Sequence, residues 1–247
     1  MTSPLSRDRA TAFEAVVDDY DAGRPGYPPS LFDALPALAG RRVLELGAGT
    51  GLATGGLLDA GAQVVATDLG PRMLGRLHAR HPRTPAVVAR AEALPFAGGS
   101  FDGVCGAQMW HWVDVAAAAA QVRRVLRPGG WLAVWWNDVA AQGQPWFEAQ
   151  QERLEAASLG YLRGYRARAY AEELRAHFGG VTTWTGVWSR TLDLPTYERW
   201  LRSKSYVQAL NDLDGFLGAE RASLLRAFPD GRVVEPFEVH LVVAVRD

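Results

Sequence analysis

Short apolar runs alternate with amphipathic stretches along the first half of the chain. Residues 41–46 (RRVLEL) and 63–67 (QVVAT) are β-branched or leucine-rich runs of strand length. Residues 86–89, 101–106 (FDGVCG) and 131–136 (WLAVWW) repeat that pattern. Between them, 51–60, 71–80 and 115–126 read as helices. Pro71 suits the first turn of its helix, and Pro128, Gly129 and Gly130 stop the Ala-rich one. Strand and helix in turn predict a doubly wound α/β sheet. The strands are short and nearly all apolar, as parallel strands covered on both faces are.

Beyond Asn137 the rhythm loosens. Residues 146–158 and 167–178 read as helices, and 181–190 (VTTWTGVWSR) alternates like a strand. Residues 194–228 are mostly helical, and 238–245 closes the chain as a strong strand. No internal repeat or low-complexity linker interrupts the pattern. Boundary candidates fall at 36–40, before the sheet begins, and at 193–195, where a helical insertion leaves it.

Composition narrows the function classes. The 247 residues fit one elaborated domain, and 48% hydrophobic against 21% charged residues can bury a full core. Lys and Arg total 26 against 27 acids, a balance unlike that of a protein coating nucleic acid or a membrane surface. The single cysteine, Cys105, excludes an intramolecular disulfide framework and a Cys-rich zinc site, and reads as a small buried hydrophobe. No apolar run approaches the roughly 18 residues of a membrane span. The first residues lack the apolar core of a secretory signal. The expectation is a soluble cytoplasmic protein. The near-exclusive use of arginine over lysine and the many alanines point to a GC-rich bacterial genome.

Val43-Leu44-Glu45-Leu46-Gly47-Ala48-Gly49-Thr50-Gly51 carries the most chemistry. A strand runs into three alternate glycines before a helix, a form that turns sharply and presents main-chain N–H groups to a ligand. Leu52 stands where the dinucleotide fingerprint needs its third glycine, which disfavours a nicotinamide or flavin site. No Gly-Lys-Ser/Thr follows, so the loop is not a phosphate-binding P-loop. Asp68 ends the second strand about 20 residues on, where this fold places an acid for ribose hydroxyls. Its other reading is a cap on the helix near Pro71.

VLELGAGTG, VVATD, AEALPF with FDGV, and LRPGG, in that order, resemble the motifs of class I S-adenosylmethionine-dependent methyltransferases. The nearest likeness is to the type 11 methyltransferase domain, which includes ubiquinone/menaquinone and trans-aconitate methyltransferases. The motifs cover 43–136. Residues 20–28 (YDAGRPGYP), 203–206 and the last strand resemble the trans-aconitate-like group more loosely. The resemblance implies a Rossmann-like, seven-stranded sheet with an antiparallel final hairpin and a helical lid. It implies a single domain: an N-terminal helical cap at 1–38, a cofactor-binding core at 39–137, a lid at 193–230, and the rest of the sheet and helices at 138–192 and 231–247. It implies S-adenosylmethionine as cofactor. Glu45, Gly47, Ala48, Gly49 and Gly51 would cradle its amino-acid half, and Asp68 its ribose. Leu69 and Met73 would lie beside the adenine, Ala91 and Glu92 at its edge, and Gln108 near the methionine moiety. Tyr20 and Arg24 would reach over its carboxylate, unless Arg24-Pro25 only shapes a surface turn. One residue departs from the pattern: Arg90 stands where many relatives have Asp for the adenine amino group.

The segment Gln108-Met109-Trp110-His111-Trp112-Val113-Asp114 follows the fourth strand, next to which this fold places its acceptor. His111 either serves as a general base or makes a structural hydrogen bond. Trp110 and Trp112 are the first candidates to face an acceptor, and Tyr206 on the insertion is another. Arg163, Arg166 and Arg168 form a basic stretch that either meets an acidic substrate or is a solvated face. His78 and His81 lack further ligands nearby, so no metal site is expected. The expected partner is a small molecule, with no nucleic acid and no membrane, on a monomer or homodimer. Two other readings keep the same cofactor site: a non-methylating reaction, and a binding or regulatory module.

Overall fold

The computed structural model describes residues 23–158, 161 and 170–247. Five strands run parallel: β1 (Arg42–Leu46), β2 (Gln63–Asp68), β3 (Ala86–Val88), β4 (Phe101–Ala107) and β5 (Leu126–Val139). With β6 (Gly180–Asp193) and β7 (Arg232–Val245) they make one seven-stranded sheet, ordered β3-β2-β1-β4-β5-β7-β6. β7 is antiparallel to both neighbours. This is the doubly wound, Rossmann-like sheet with a final antiparallel hairpin.

The strand residues alternate between two cores, as a period of two requires. Leu44, Val104, Leu132 and Val134 face the helices α4 (Val115–Val125) and α6 (Tyr170–Arg175). Val43, Cys105, Ala133 and Trp135 face α1 (Pro29–Asp33) and α2 (Leu52–Asp59). α3 (Pro71–Arg80) covers the β2–β3 side through Leu74 and Leu77. A third core joins α5 (Pro145–Ala157), α7 (Leu194–Arg202) and α9 (Leu213–Ala227) to Val233 and Phe237 of β7. The short α8 (Ser205–Gln208) links α7 to α9.

The hairpin runs further than the sequence pattern indicates. β6 and β7 pair from Gly180↔Val245 to Asp193↔Arg232, so the helices α7 to α9 leave from and return to neighbouring positions. Glu235 and Pro236 hide the start of β7 in the sequence. The structure accommodates Glu235 because Arg190 stands directly opposite it across the hairpin. β5 likewise begins early, at Leu126. A register shift between Phe101 and Gly103 of β4 absorbs the Pro-Gly-Gly segment.

Candidate functional site

β1 has β2 on one side and β4 on the other, so the chain reverses its winding direction between β1 and β4. Open α/β sheets bind ligands in the crevice at such a point, beyond the carboxyl ends of the strands. Here the crevice is bounded by the 47–51 loop after β1, Asp68 at the end of β2, and the 108–112 turn after β4.

The glycines of the loop are a backbone requirement. Gly47, Gly49 and Gly51 have φ of 60°, 56° and 86°, all in the left-handed region that glycine enters without cost. A Cβ on Gly47 would lie 2.8 Å from the Met109 Cβ, so the loop and the β4 turn approach to within a hydrogen's width of a side chain. The loop is tied from several sides. Ala48 donates its N–H to the Thr67 carbonyl at 2.9 Å. His81 Nε2 donates to the Gly51 carbonyl at 3.1 Å, and Arg80 to that of Thr50 at 3.2 Å.

Asp68 has the capping contact that its second reading expects, and a bond to the loop besides. Oδ2 accepts the Gly49 N–H and Oδ1 the Gly70 N–H, each at 2.8 Å. Gly70 precedes α3, so one carboxylate joins the glycine loop to the start of that helix.

Glu45 lies beneath the loop on β1 and is 1% exposed. Thr54 of α2 donates its hydroxyl to Oε2 at 2.6 Å, while Oε1 is buried with no partner among the described residues. Burial drives this carboxyl from its ordinary 4.5 up to about 8. The Thr54 bond opposes the rise, and the charge of Asp68 adds to it.

The β4 turn is locked to β5 at three successive residues. Gln108 has φ 56°, the one non-glycine positive φ among the described residues. Its N–H donates to the Trp135 carbonyl at 2.9 Å, and its Nε2 to the Asn137 carbonyl at 3.0 Å. Trp136 Nε1 donates to His111 Nδ1 at 3.2 Å. Asn137 extends the lock outward, donating to the Gly26 carbonyl at 2.8 Å and accepting from Trp188 Nε1 at 3.1 Å. Arg190 donates to the Gly23 carbonyl at 2.8 Å, and Arg24 to that of Ser203 at 3.2 Å. The 23–26 segment is thereby held to β5, β6 and the end of α7.

The structure brings Glu45, Gly47, Ala48, Gly49, Gly51, Asp68 and Gln108 to one crevice. Leu69 is exposed beside Asp68, whereas Met73, on α3, is buried. Ala91 is buried, and Glu92 accepts the Asp114 N–H at 3.1 Å with Arg90 3.6 Å away. Trp110 is fully buried in the core with Leu44 and Trp136, so its ring packs the sheet, while His111 and Trp112 beside it are half-buried. Tyr206 meets Tyr161 and Lys204 in the helical layer. Tyr20 lies outside the described residues, as do Arg163, Arg166 and Arg168. Sequence reasoning missed Thr54, Met109 and Asn137. The one available signal was Asn137, a polar residue ending an apolar strand. Among the described residues no group of three or more metal-ligating side chains gathers. No described helix is long and apolar enough to cross a membrane.

Residues 44–134 match the family described as "Methyltransferase domain". An uncharacterized methyltransferase of Mycobacterium tuberculosis is 50% identical over 131 residues, 53% of this chain and 54% of that relative. The chain thus matches about half the length of these curated relatives. A protein of Anaeromyxobacter dehalogenans, described on inference as a type II methyltransferase, has a TM-score of 0.66 and 26% identity. That match covers 90% of this chain and 96% of the other. An N-methyltransferase of Haemonchus contortus, solved with phosphomonomethylethanolamine and S-adenosylhomocysteine, shares the fold at a TM-score of 0.56 and 19% identity. It covers 98% of this chain and 59% of that one. Sheet order, the crevice between β1 and β4 and these matches agree: residues 44–134 match the methyltransferase domain family, and the sheet is that of the class I methyltransferase fold.

Proposed function

We propose that the protein is an S-adenosylmethionine-dependent methyltransferase whose acceptor is a small molecule, methylated at oxygen or carbon. One observation carries the cofactor part: the glycine loop is hydrogen-bonded at Gly49 to the carboxylate that ends the neighbouring strand, inside the crevice where this fold binds ligands. The residues fit such a cofactor. Gly47 and Gly51 leave the loop without side chains, and the orphaned, buried Oε1 of Glu45 lies under it. When bound, S-adenosylmethionine supplies an electrophilic methyl group on a sulfonium.

Glu45, Gly47, Ala48, Gly49 and Gly51 hold the amino-acid half in this reading, with Tyr20 and Arg24 over its carboxylate. Asp68 accepts from the ribose hydroxyls. Leu69 and Met73 flank the adenine, Ala91 and Glu92 meet its edge, and Gln108 adjoins the methionine chain. His111, Trp112 and Tyr206 belong to the acceptor side in this reading, with Trp110 packing the core beneath them. The N-terminal segment and residues 193–230 exclude water and set specificity, leaving alignment of the acceptor to supply most of the rate. The balanced charge and the AQMWHW sequence after β4 favour a small acceptor over nucleic acid or protein. A cytoplasmic setting and a monomer or homodimer complete the reading.

Calorimetric titration of S-adenosylmethionine and S-adenosylhomocysteine tests it. Wild type is expected to bind at micromolar concentrations. Asp68→Ala removes two charge-assisted hydrogen bonds and weakens binding by about 3 kcal/mol, roughly a hundredfold. Folded wild-type protein that binds neither compound refutes the reading.

A further inference from the structure

The sheet has two edges, and they are built differently. One edge is β3, three residues long, with Pro82 and Pro85 just ahead of it. A short strand behind prolines gives another strand little to pair with. The other edge is β6, which is fourteen residues long. Its inner side pairs with β7 from Gly180 to Asp193 without a register shift. Its outer side makes no backbone hydrogen bond among the described residues. An edge of this kind carries a row of N–H and C=O groups that water alone satisfies until another strand adds to it.

The usual guards of a long edge are missing from β6. It contains no proline and no lysine, and no bulge interrupts it. Residues 180–189 (GVTTWTGVWS) are uncharged, in a chain that is 21% charged. Arg190 is turned to the covered face, where Glu235 and the Trp200 ring engage it. Gly186 would weaken the strand, but the Trp184 ring lies across it, so that a Cβ there would overlap the indole. On the open face Thr183, Thr185, Val187, Ser189 and Thr191 are all exposed. Val187, near the middle of the strand, is 79% exposed, more than any other large hydrophobic side chain among the described residues. Neutral, β-branched side chains of this kind suit a pleated, half-buried surface.

We propose that the β6 edge binds a second copy of this chain, the two edges pairing antiparallel about a two-fold axis at Val187 and joining two sheets into one. The strand is self-complementary in this register. Val187 falls opposite its own copy, Thr185 opposite Ser189, and Thr183 opposite Thr191. Hydroxyl and β-branched pairs of this sort are favourable across strands. The two charged residues fall opposite uncharged ones, Arg190 opposite Trp184 and Asp193 opposite Val181, so no like charges meet. A foreign strand supplies the same backbone bonds; the neutral pairing throughout is a property that this sequence has with itself. The stretch from Thr183 to Thr191 is roughly 30 Å long at about 3.3 Å per residue, against about 17–20 Å for an ordinary strand. The two-fold axis closes the contact at two copies, and a net charge of -1 sets up no long-range repulsion between them. β5 and β7 separate this edge from the β1–β4 crevice, so the dimer does not depend on the cofactor reading. It selects the homodimer from the two states left open above.

Sedimentation velocity of the full chain, from about 1 to about 100 μM, reads the assembly directly. Wild type is expected to sediment at twice the 26.9 kDa of one chain. Val187→Lys sets two ammonium groups against each other on the axis, and so exposed a side chain has little packing to lose. The variant is expected to raise the dimer dissociation constant roughly tenfold or more. Val88→Lys, on the guarded β3 edge and also exposed, is expected to leave the dimer intact. Hydrogen exchange gives a second reading that needs no variant. The outward-facing amides between Thr183 and Thr191 are expected to exchange roughly tenfold more slowly at the high concentration than at the low one, with β3 unchanged. A monomer at about 100 μM overturns the proposal and leaves the edge to a different partner or to water. A dimer that Val187→Lys leaves intact, or that Val88→Lys dissociates in its place, overturns it as well. If Val187→Lys fails to fold, the exchange comparison decides, and β6 amides insensitive to concentration refute the pairing.

Discussion

Glu45 makes the pH dependence of folding a direct probe of the site. Its carboxyl is 1% exposed, one oxygen has no partner among the described residues, and its pKa rises from 4.5 to about 8. The folded protein thus keeps a proton that the unfolded chain releases. Between pH 4.5 and about 8 the folded state binds more protons, so stability falls as pH rises through that window. Below it both states are protonated at this group, and above it both are ionised, so Glu45 gives no slope there. At about 1.4 kcal/mol per pH unit, the whole window is worth roughly 5 kcal/mol and the step from pH 5 to pH 7 roughly 3 kcal/mol. Glu45→Gln imitates the protonated side chain in shape and keeps an oxygen for the Thr54 hydroxyl. Urea midpoints at pH 5, 6, 7 and 8, with unchanged m values, measure the difference between the two proteins. The variant is expected to gain on wild type by roughly 3 kcal/mol from pH 5 to pH 7. Parallel stability curves for the two proteins would show that Glu45 is ionised in the fold, and the account of its burial would fail.

Two further substitutions test how the site is held. Arg190→Met leaves the fully buried Glu235 without its cross-strand partner and is expected to cost 3–5 kcal/mol in chemical denaturation, roughly the loss seen when a buried pair is broken. Arg190→Met with Glu235→Met is expected to recover most of that stability; a double variant as unstable as the single would refute the pairing. Gly47→Ala places a Cβ at φ 60° and 2.8 Å from Met109, so it is expected to lower stability by about 1–2 kcal/mol and to abolish calorimetric binding of S-adenosylhomocysteine. Wild-type binding by that variant would show that the loop does not need its glycine.

The parallel half of the sheet was readable because its physics is local. A strand covered on both faces has to be apolar throughout, and β1, β2 and β4 are each followed in sequence by a helix that leads to the next strand. The hairpin was readable only in its apolar half. Its other half depends on Arg190 and Glu235, which stand 45 residues apart in sequence and become compatible with a buried strand only when register sets them opposite. The same contrast runs through the site. Gly47, Gly49 and Gly51 were legible because a left-handed backbone is written in the residue type. Asp68 was legible as an acid at a strand end, whereas its bond to the loop is set by the neighbouring strand, since it joins the loop and the start of α3 together. Thr54, Met109 and Asn137 are ordinary residue types whose roles come from the neighbouring strand or helix. Trp110 and Trp112 are alike in sequence, yet the three-residue turn buries the first and leaves the second half-exposed. His111 shows the limit most sharply. Its residue type states that the ring can accept or donate a proton. Which nitrogen does so is decided by an indole 25 residues later, on the adjacent strand. Residue type sets what a side chain is capable of, and pairing across the sheet selects among those capabilities.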